Sequence, residues 1–308
     1  MKIIAAFLKA TLLFTAIQSS AQPRQNDFGA YEVTVEDITK IMSKGQQPGF
    51  RVDIYQAEKK DVENTWSKLI RNETKSKAEN VNNELFIPGT YLKYISGKPL
   101  NVYTIINQYE DHLEVNAFFE LDSVFLTKEN HETEYLAARK FVREFAVTCY
   151  RIGVAEEVKK DEKKLDGLEE QLDNLTNEND RLHKKISEEN RNIDNDKEKI
   201  ATSELDQERV SRQVQSDKEQ LAASKSANAG EEVIKTAEKK LKDSENELSK
   251  LQRQEDNLHK DIDKSEENIR EYERNIKDNE QNMELKRSDI TQQKEFVYKL
   301  QKKLDSIR

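Results

Sequence analysis

The sequence predicts an α+β domain, built as an antiparallel sheet with two helices on one face, followed by a long antiparallel two-helix coiled-coil hairpin. Three observations predict it. The composition splits the chain near residue 150, a seven-residue apolar repeat fills the chain beyond that point, and the repeat breaks once, at "SKSANAGEE" (224–232). All four prolines and the only tryptophan, Trp66, lie before residue 100, whereas 33 of the 51 Lys+Arg and 40 of the 60 Asp+Glu lie in 151–308. A proline-free segment that dense in charge is either disordered or a long helix whose charges flank a narrow apolar seam. Periodicity separates the two.

The first element is a leader. "MKIIAAFLKATLLFTAIQSSAQ" starts with a lysine at position 2, carries an apolar stretch from Ile3 to Ile17, and ends on Ser19-Ser20-Ala21. This is the pattern of a signal peptide over 1–21, cleaved after Ala21. The apolar stretch is short for a membrane span, and an uncleaved anchor is the alternative. No cysteine follows the cleavage site to carry a lipid. After cleavage no segment has the ~20 apolar residues a span requires, so the mature chain is expected to be exported and most suited to the periplasm.

Residues 27–150 read as the globular domain. "YEVTVEDI" (31–38) reads as a strand, "SKGQQPG" (43–49) as a turn, and "FRVDIYQA" (50–57) as a strand alternating Phe50, Val52 and Ile54 with polar neighbours. "DVENTWSKLIRN" (61–72) puts Val62, Trp66, Leu69 and Ile70 on one helical face, with Asp61 as its cap. Three strands follow at 84–95, 101–109 and 112–121, joined by the short connectors "SGKP" and "EDH" as an antiparallel meander. A helix opens near Glu132, its apolar face running from Tyr135 through Phe141, Phe145 and Cys149 to Ile152. Gly153 is a candidate bend. Cys149 is the only cysteine, which leaves no intramolecular disulfide, and its neighbours make it a small buried hydrophobe rather than a reactive thiol.

Residues 151–308 read as the hairpin. One heptad register places Leu165, Leu172, Asn179, Ile186, Ile193, Ile200, Gln207, Val214 and Leu221 at a positions. A second register runs from Ile234 to Leu304 without a slip. Disordered polyampholytes keep no such period, so both runs are coiled coil. The registers are out of phase, and the jump falls in the tip, where Ser226, Asn228 and Gly230 suit the end of a helix and a left-handed turn. Glu231 and Glu232 then suit a new first turn. A stutter in one unbroken helix of a parallel dimer is the competing reading. Folding the chain about Ala229 pairs Asn179 with Asn279 in one seam layer, where each amide can satisfy the other and a heptad slip strands both. It also puts aliphatic side chains opposite seam acids, as in Glu189/Ile269 and Asp217/Leu241, and leaves Ser203/Glu255 as one loose polar layer. With ~73 residues per helix the arm reaches roughly 105–110 Å.

Chemistry-bearing motifs are scarce. The four histidines (His112, His131, His183, His259) have no metal-ligand spacing, and "DNDKE" (194–198) lacks the glycine of a calcium loop. The reading therefore expects no catalytic residue, no metal and no cofactor. The net charge of −9 weighs against nucleic acid as a partner.

"MSKGQQPGFRVDIYQA" (42–57), followed by "DVENTWSKLI" and later by a Glu/Lys-rich coiled coil, resembles exported proteins of unknown function from Gram-negative bacteria. The resemblance covers 31–200. It implies export and the two-part layout, and it carries no activity or site. Function is then expected to be non-enzymatic: an exported interaction or scaffold protein whose globular domain binds an envelope protein and carries a rigid coiled-coil arm. A periplasmic holdase or clamp-like chaperone using such arms is the alternative. Self-association is left open.

Overall fold

The computed structural model describes residues 28–71, 78–81 and 83–308. The signal-peptide expectation at 1–21 lies outside the described residues. Contacts divide the chain into two compact units, one running up to Lys159 together with Val297–Arg308, the other Lys160–Phe296. Both long helices contribute to both units: α2 spans Glu132–Ser226 and α3 spans Glu231–Ser306.

In the first unit, β1 (Val35–Met42), β2 (Gly45–Tyr55), β3 (Glu79–Val81), β4 (Glu84–Thr90), β5 (Leu100–Gln108), β6 (His112–Leu121) and β7 (Val124–Phe125) form one antiparallel sheet. The order is β1-β2-β6-β5-β4-β3, with β7 paired to β6 beyond the point where β2 departs. The first strand starts later than the apolar alternation of 31–38 suggests, and the expected turn at 43–49 shrinks to Ser43–Lys44. Gly45 supplies the left-handed residue (φ 85°) that lets so tight a turn close, so "GQQPG" extends as strand. The strand expected over 84–95 ends at Thr90, after a register shift between Ile87 and Thr90.

Helix α1 (Lys59–Arg71) begins two residues before Asp61, so Asp61 lies in the first turn rather than at the cap. There its charge complements the helix dipole. Its buried side chains, Val62, Trp66 and Ile70, join Phe141, Val142 and Phe145 of α2 over Phe50, Val52, Val102, Val115 and Phe119 of the sheet. The Trp66 ring meets Phe145 edge-on at 4.6 Å, and its indole N–H donates to Thr104 Oγ1 at 2.6 Å. This is the main core, with two helices on one sheet face.

The other face closes on itself. Met42, Tyr103, Phe118 and Phe125 form a second, smaller core with Ile38, Phe86 and Ile105 packed against it. The turn residue Ser43 donates from its backbone N–H (3.0 Å) and its hydroxyl to the carboxylate of Glu84. Glu84 belongs to β4, three strands from β2 in the sheet order, so these bonds record a strong curl.

Two expectations for this unit need correction. Gly153 is no bend, because α2 runs through it. A Cβ there would stand 1.8 Å from the Gln56 carbonyl oxygen, so the glycine exists for close approach of the 56–57 loop. Nor does the domain end at residue 150. It extends to Lys159 and takes up Val297–Arg308. Ile307 is 1 % exposed in the main core, and Lys303, buried to 3 %, lays its ammonium over the rings of Tyr31 and Tyr150.

The second unit is a pair of long helices packed antiparallel as a hairpin, roughly 100 Å of helix at ~1.5 Å per residue. Its seam buries Leu182, Ile193, Ile200, Val210, Val214, Ile262, Ile276 and Ile290. Its length falls slightly short of the expected reach because the bases of both helices belong to the first unit.

Candidate functional site

The hairpin carries the residues singled out from the sequence. Asn279 Nδ2 donates to Asn179 Oδ1 at 2.9 Å, and Asn179 is 8 % exposed, so the two asparagines share a layer as the register requires. The amide of Asn179 is turned toward Met283 Sδ at 3.8 Å. At the tip, α2 ends on Ser226 and Asn228 takes the left-handed conformation (φ 48°). Asn228 N–H bonds Lys225 O (3.3 Å) and Ala229 N–H bonds Ser224 O (3.1 Å), the paired closure of a Schellman cap. Gly230 has a different task from the one expected. Its carbonyl accepts from Val233 and Ile234, so it caps the start of α3, and Asn228 alone supplies the left-handed turn.

The remaining seam polar groups depart from the expected scheme. Seam acids are hydrogen-bonded, mostly by neutral donors from the facing helix, with a lysine of the same helix joining at Asp161 and Asp196. Glu189 accepts from Ser265 Oγ (2.9 Å) and Asn268 Nδ2 (2.8 Å), and those bonds hold its carboxyl below the usual range. Asp217, 4 % exposed, accepts from Ser244 Oγ (2.6 Å) and Gln213 Nε2 (2.9 Å), and is lowered for the same reason. Asp161, 4 % exposed, accepts from Gln293 Nε2 (3.2 Å) and Lys164 Nζ (2.6 Å). The Ser203/Glu255 layer is bridged rather than loose: Gln207 Nε2 donates to both Ser203 Oγ and the Glu255 carboxylate. A heptad pattern marks such positions only as polar. Most of the neutral donors (Ser244, Ser265, Gln293 and Gln207) are a/d residues about one turn away from the layer mate of the acid they reach, so pairing directly opposed residues overlooks them; of these donors only Asn268 and Gln213 lie outside the a/d pattern.

A second cluster, missed from the sequence, lies on the sheet face away from the helices. Glu114 of β6 accepts from Lys40 Nζ (3.0 Å), Asn107 Nδ2 (3.0 Å) and Asn116 Nδ2 (2.8 Å), and Arg51 Nε stands 3.2 Å from its other oxygen. Burial pushes the Glu114 carboxyl up, but the bonds from Asn116, Asn107 and Lys40 and the lysine's charge outweigh it, taking the pKa to about 2. Asp53 pairs with Arg51 at 3.1 Å. The available signal was the alternation in "HLEVNAFFEL", where Glu114 and Asn116 share a face with Phe118, opposite the wholly apolar face of Leu113, Val115, Ala117, Phe119 and Leu121. Every charged group in this cluster is spent on another, which makes it a brace rather than a poised acid or base.

Cys149 is 3 % exposed, and burial pushes its thiol up to about 12, opposite to the low pKa a nucleophilic thiolate needs. The ring of His112 stacks on Tyr109 at 4.8 Å, with Nδ1 2.7 Å from Asp111 Oδ1. Among the described residues, no three His, Cys, Asp or Glu side chains are grouped to hold a metal, and no helix is long and apolar enough to cross a membrane. Compared with known proteins, the chain matches no protein family, no curated protein and no solved structure.

Proposed function

We propose that the protein is exported, matures at Gln22, and acts in the periplasm as a non-enzymatic interaction or scaffold protein. In this reading the sheet domain binds an envelope protein, and the hairpin serves as a spacer of fixed length. The observation that carries it is the hairpin's register. Five seam layers are bonded through polar side chains, and ion pairs such as Lys294–Glu169 (2.8 Å), Lys218–Glu245 (3.3 Å) and Lys225–Glu238 (2.9 Å) tie the flanks across the helices. Exposed pairs of this kind add little stability, but a chain of them favours one alignment. A holdase would present apolar arm faces to clients. The large apolar side chains that this hairpin exposes (Leu205, Val233 and Leu285) sit on separate stretches, which weighs for the spacer.

The test is photo-cross-linking in cells with the full chain. A photoreactive residue replaces Tyr94, 84 % exposed on the domain, or Leu205, 69 % exposed on the arm. Discrete adducts with envelope proteins, and an intact mass starting at Gln22, are expected. A chain that keeps residues 1–21 and gives no discrete adduct from either position overturns the reading.

A further inference from the structure

We infer that the free edge of β1 is a self-association surface, pairing antiparallel with β1 of a second copy about a two-fold axis at Ile38. The inference goes beyond the proposed spacer role and rests on the sheet alone. β1 is an end strand of the sheet. Along an antiparallel ladder, residues alternate between bonding the neighbouring strand and pointing their N–H and C=O outward. Two arginines of α2 fix which residues point outward: Arg139 Nη2 donates to Val35 O (2.8 Å) and Arg143 Nε to Val33 O (3.1 Å). By alternation Asp37, Thr39 and Ile41 also face outward. Pro48 agrees with this, since it stands opposite Thr39, where the β1–β2 ladder asks for no donor.

Among the described residues, the edge is therefore capped by arginines at 33–35 and open along its main chain over 37–41, where the Tyr135 hydroxyl holds only the Asp37 side chain (2.7 Å). Native edges are normally blunted by charge, bulges or cover. This one instead exposes Ile41 to 78 %, among the most exposed large apolar side chains of the described residues.

Self-complementarity selects the occupant. Pairing about Ile38 sets Glu36 opposite the partner's Lys40, twice, and Ile38 opposite the partner's Ile38 on the same face. On the other face it sets Ile41 opposite the partner's Val35 and Asp37 opposite the partner's Thr39. The main-chain bonds then fall on Asp37 and Thr39, inside the open window. An axis at Thr39 would oppose Glu36 to Met42 and Ile38 to Lys40, losing both matches. Lys40 keeps Glu114 (3.0 Å) and, with its side chain 37 % exposed, offers its remaining ammonium hydrogens to the partner's Glu36, whose side chain is 64 % exposed and stands 3.7 Å from Arg51. A ladder this short buries less than a standard interface, so the dimer is weak and is sought at high concentration.

The experiment is light scattering on the mature full chain up to about 300 µM, a range suited to an interface below standard size. Reversible dimerisation is expected. Thr39→Pro removes one outward donor per copy and spares the β1–β2 ladder, so it should weaken the dimer roughly tenfold or more while leaving the thermal melt unchanged. Ile38→Cys should give a disulfide-linked dimer on oxidation, since opposed residues in a non-hydrogen-bonded pair lie within disulfide reach. The wild-type chain, with only buried Cys149, is the control. A monomer throughout the range, a dimer indifferent to Thr39→Pro, or linkage through Thr39→Cys but not Ile38→Cys overturns the proposal.

Discussion

Glu114 in the sheet unit sits among four donors, two of them cations, whereas Glu189 and Asp217 in the hairpin are held by hydroxyls and amides. The contrast follows from geometry. A curled sheet brings side chains from β1, β2, β5 and β6 to one point, so a buried carboxylate there can be matched by charge and enclosed. A two-helix seam offers each layer only a few flanking positions, all close to water, so a neutral donor suffices and no cation need be buried. Polar burial therefore stabilises the closed form of the domain, and in the hairpin it chooses among alignments. The two regions should respond differently to the same kind of damage.

The largest effect expected is on the domain alone. Ile307→Ala removes a core side chain that is 1 % exposed and should cost about 3 kcal/mol. Trp66 fluorescence should report the loss while far-UV circular dichroism, dominated by the hairpin, keeps its main transition. If the two signals move together, the units unfold as one and the contrast fails.

Next is the Glu114 brace. Its folded pKa, about 2, lies below the ordinary 4.5, so the stabilisation is complete above pH ~5 and is lost as pH falls toward 2. The two pKa values correspond to roughly 3 kcal/mol, which solvent around the partly exposed Lys40 and Arg51 reduces to about 2 kcal/mol. Glu114→Gln should lower stability by that amount at neutral pH and flatten the acid limb of a chemical-denaturation series. An unchanged acid limb would place the acid sensitivity elsewhere.

Gly153→Ala comes third. The added Cβ has no room beside the Gln56 carbonyl, and the loop must shift, at about 1–2 kcal/mol after the gain in helix propensity. An increase in melting temperature would show that the 56–57 loop yields freely.

The smallest change in stability is expected from replacing Asn179 and Asn279 together by leucine: within about 1 kcal/mol, because both partners of the bond leave at once. Uniqueness of register should suffer instead. Paired cysteines placed one heptad out of register should then cross-link in the leucine variant and not in the parent. If both link equally, the asparagines do not set the register.

The hairpin was legible because its contacts repeat. Asn179 and Asn279 were paired from phase alone, and Asn228 marked the turn by its tolerance of the left-handed region. The sheet's strands were legible in outline, from alternation. What escaped depends on residues far apart in sequence that share no period: Ser43 with Glu84, Lys40 with Glu114, Gly153 with Gln56, and Ile307 in a core built mainly from residues before 159. Gly230 was misassigned for a local reason. Glycine suits both a left-handed turn and a helix start, and the cap is decided by where Val233 N–H points.

The hairpin is an insertion, since the sheet unit owns the chain on both sides of it, up to Lys159 and again from Val297. Its size can therefore change only by matched edits. Losing seven residues from one helix would shift every layer below the cut, whereas removing 196–202 together with 256–262 excises opposed segments and leaves the polar bonds across the seam in place. Each such double excision shortens the rod by about 10.5 Å. Among homologous genes, insertions and deletions in this stretch should come as mirror-image pairs about Ala229, and the same rule gives an engineer a ruler graduated in heptads.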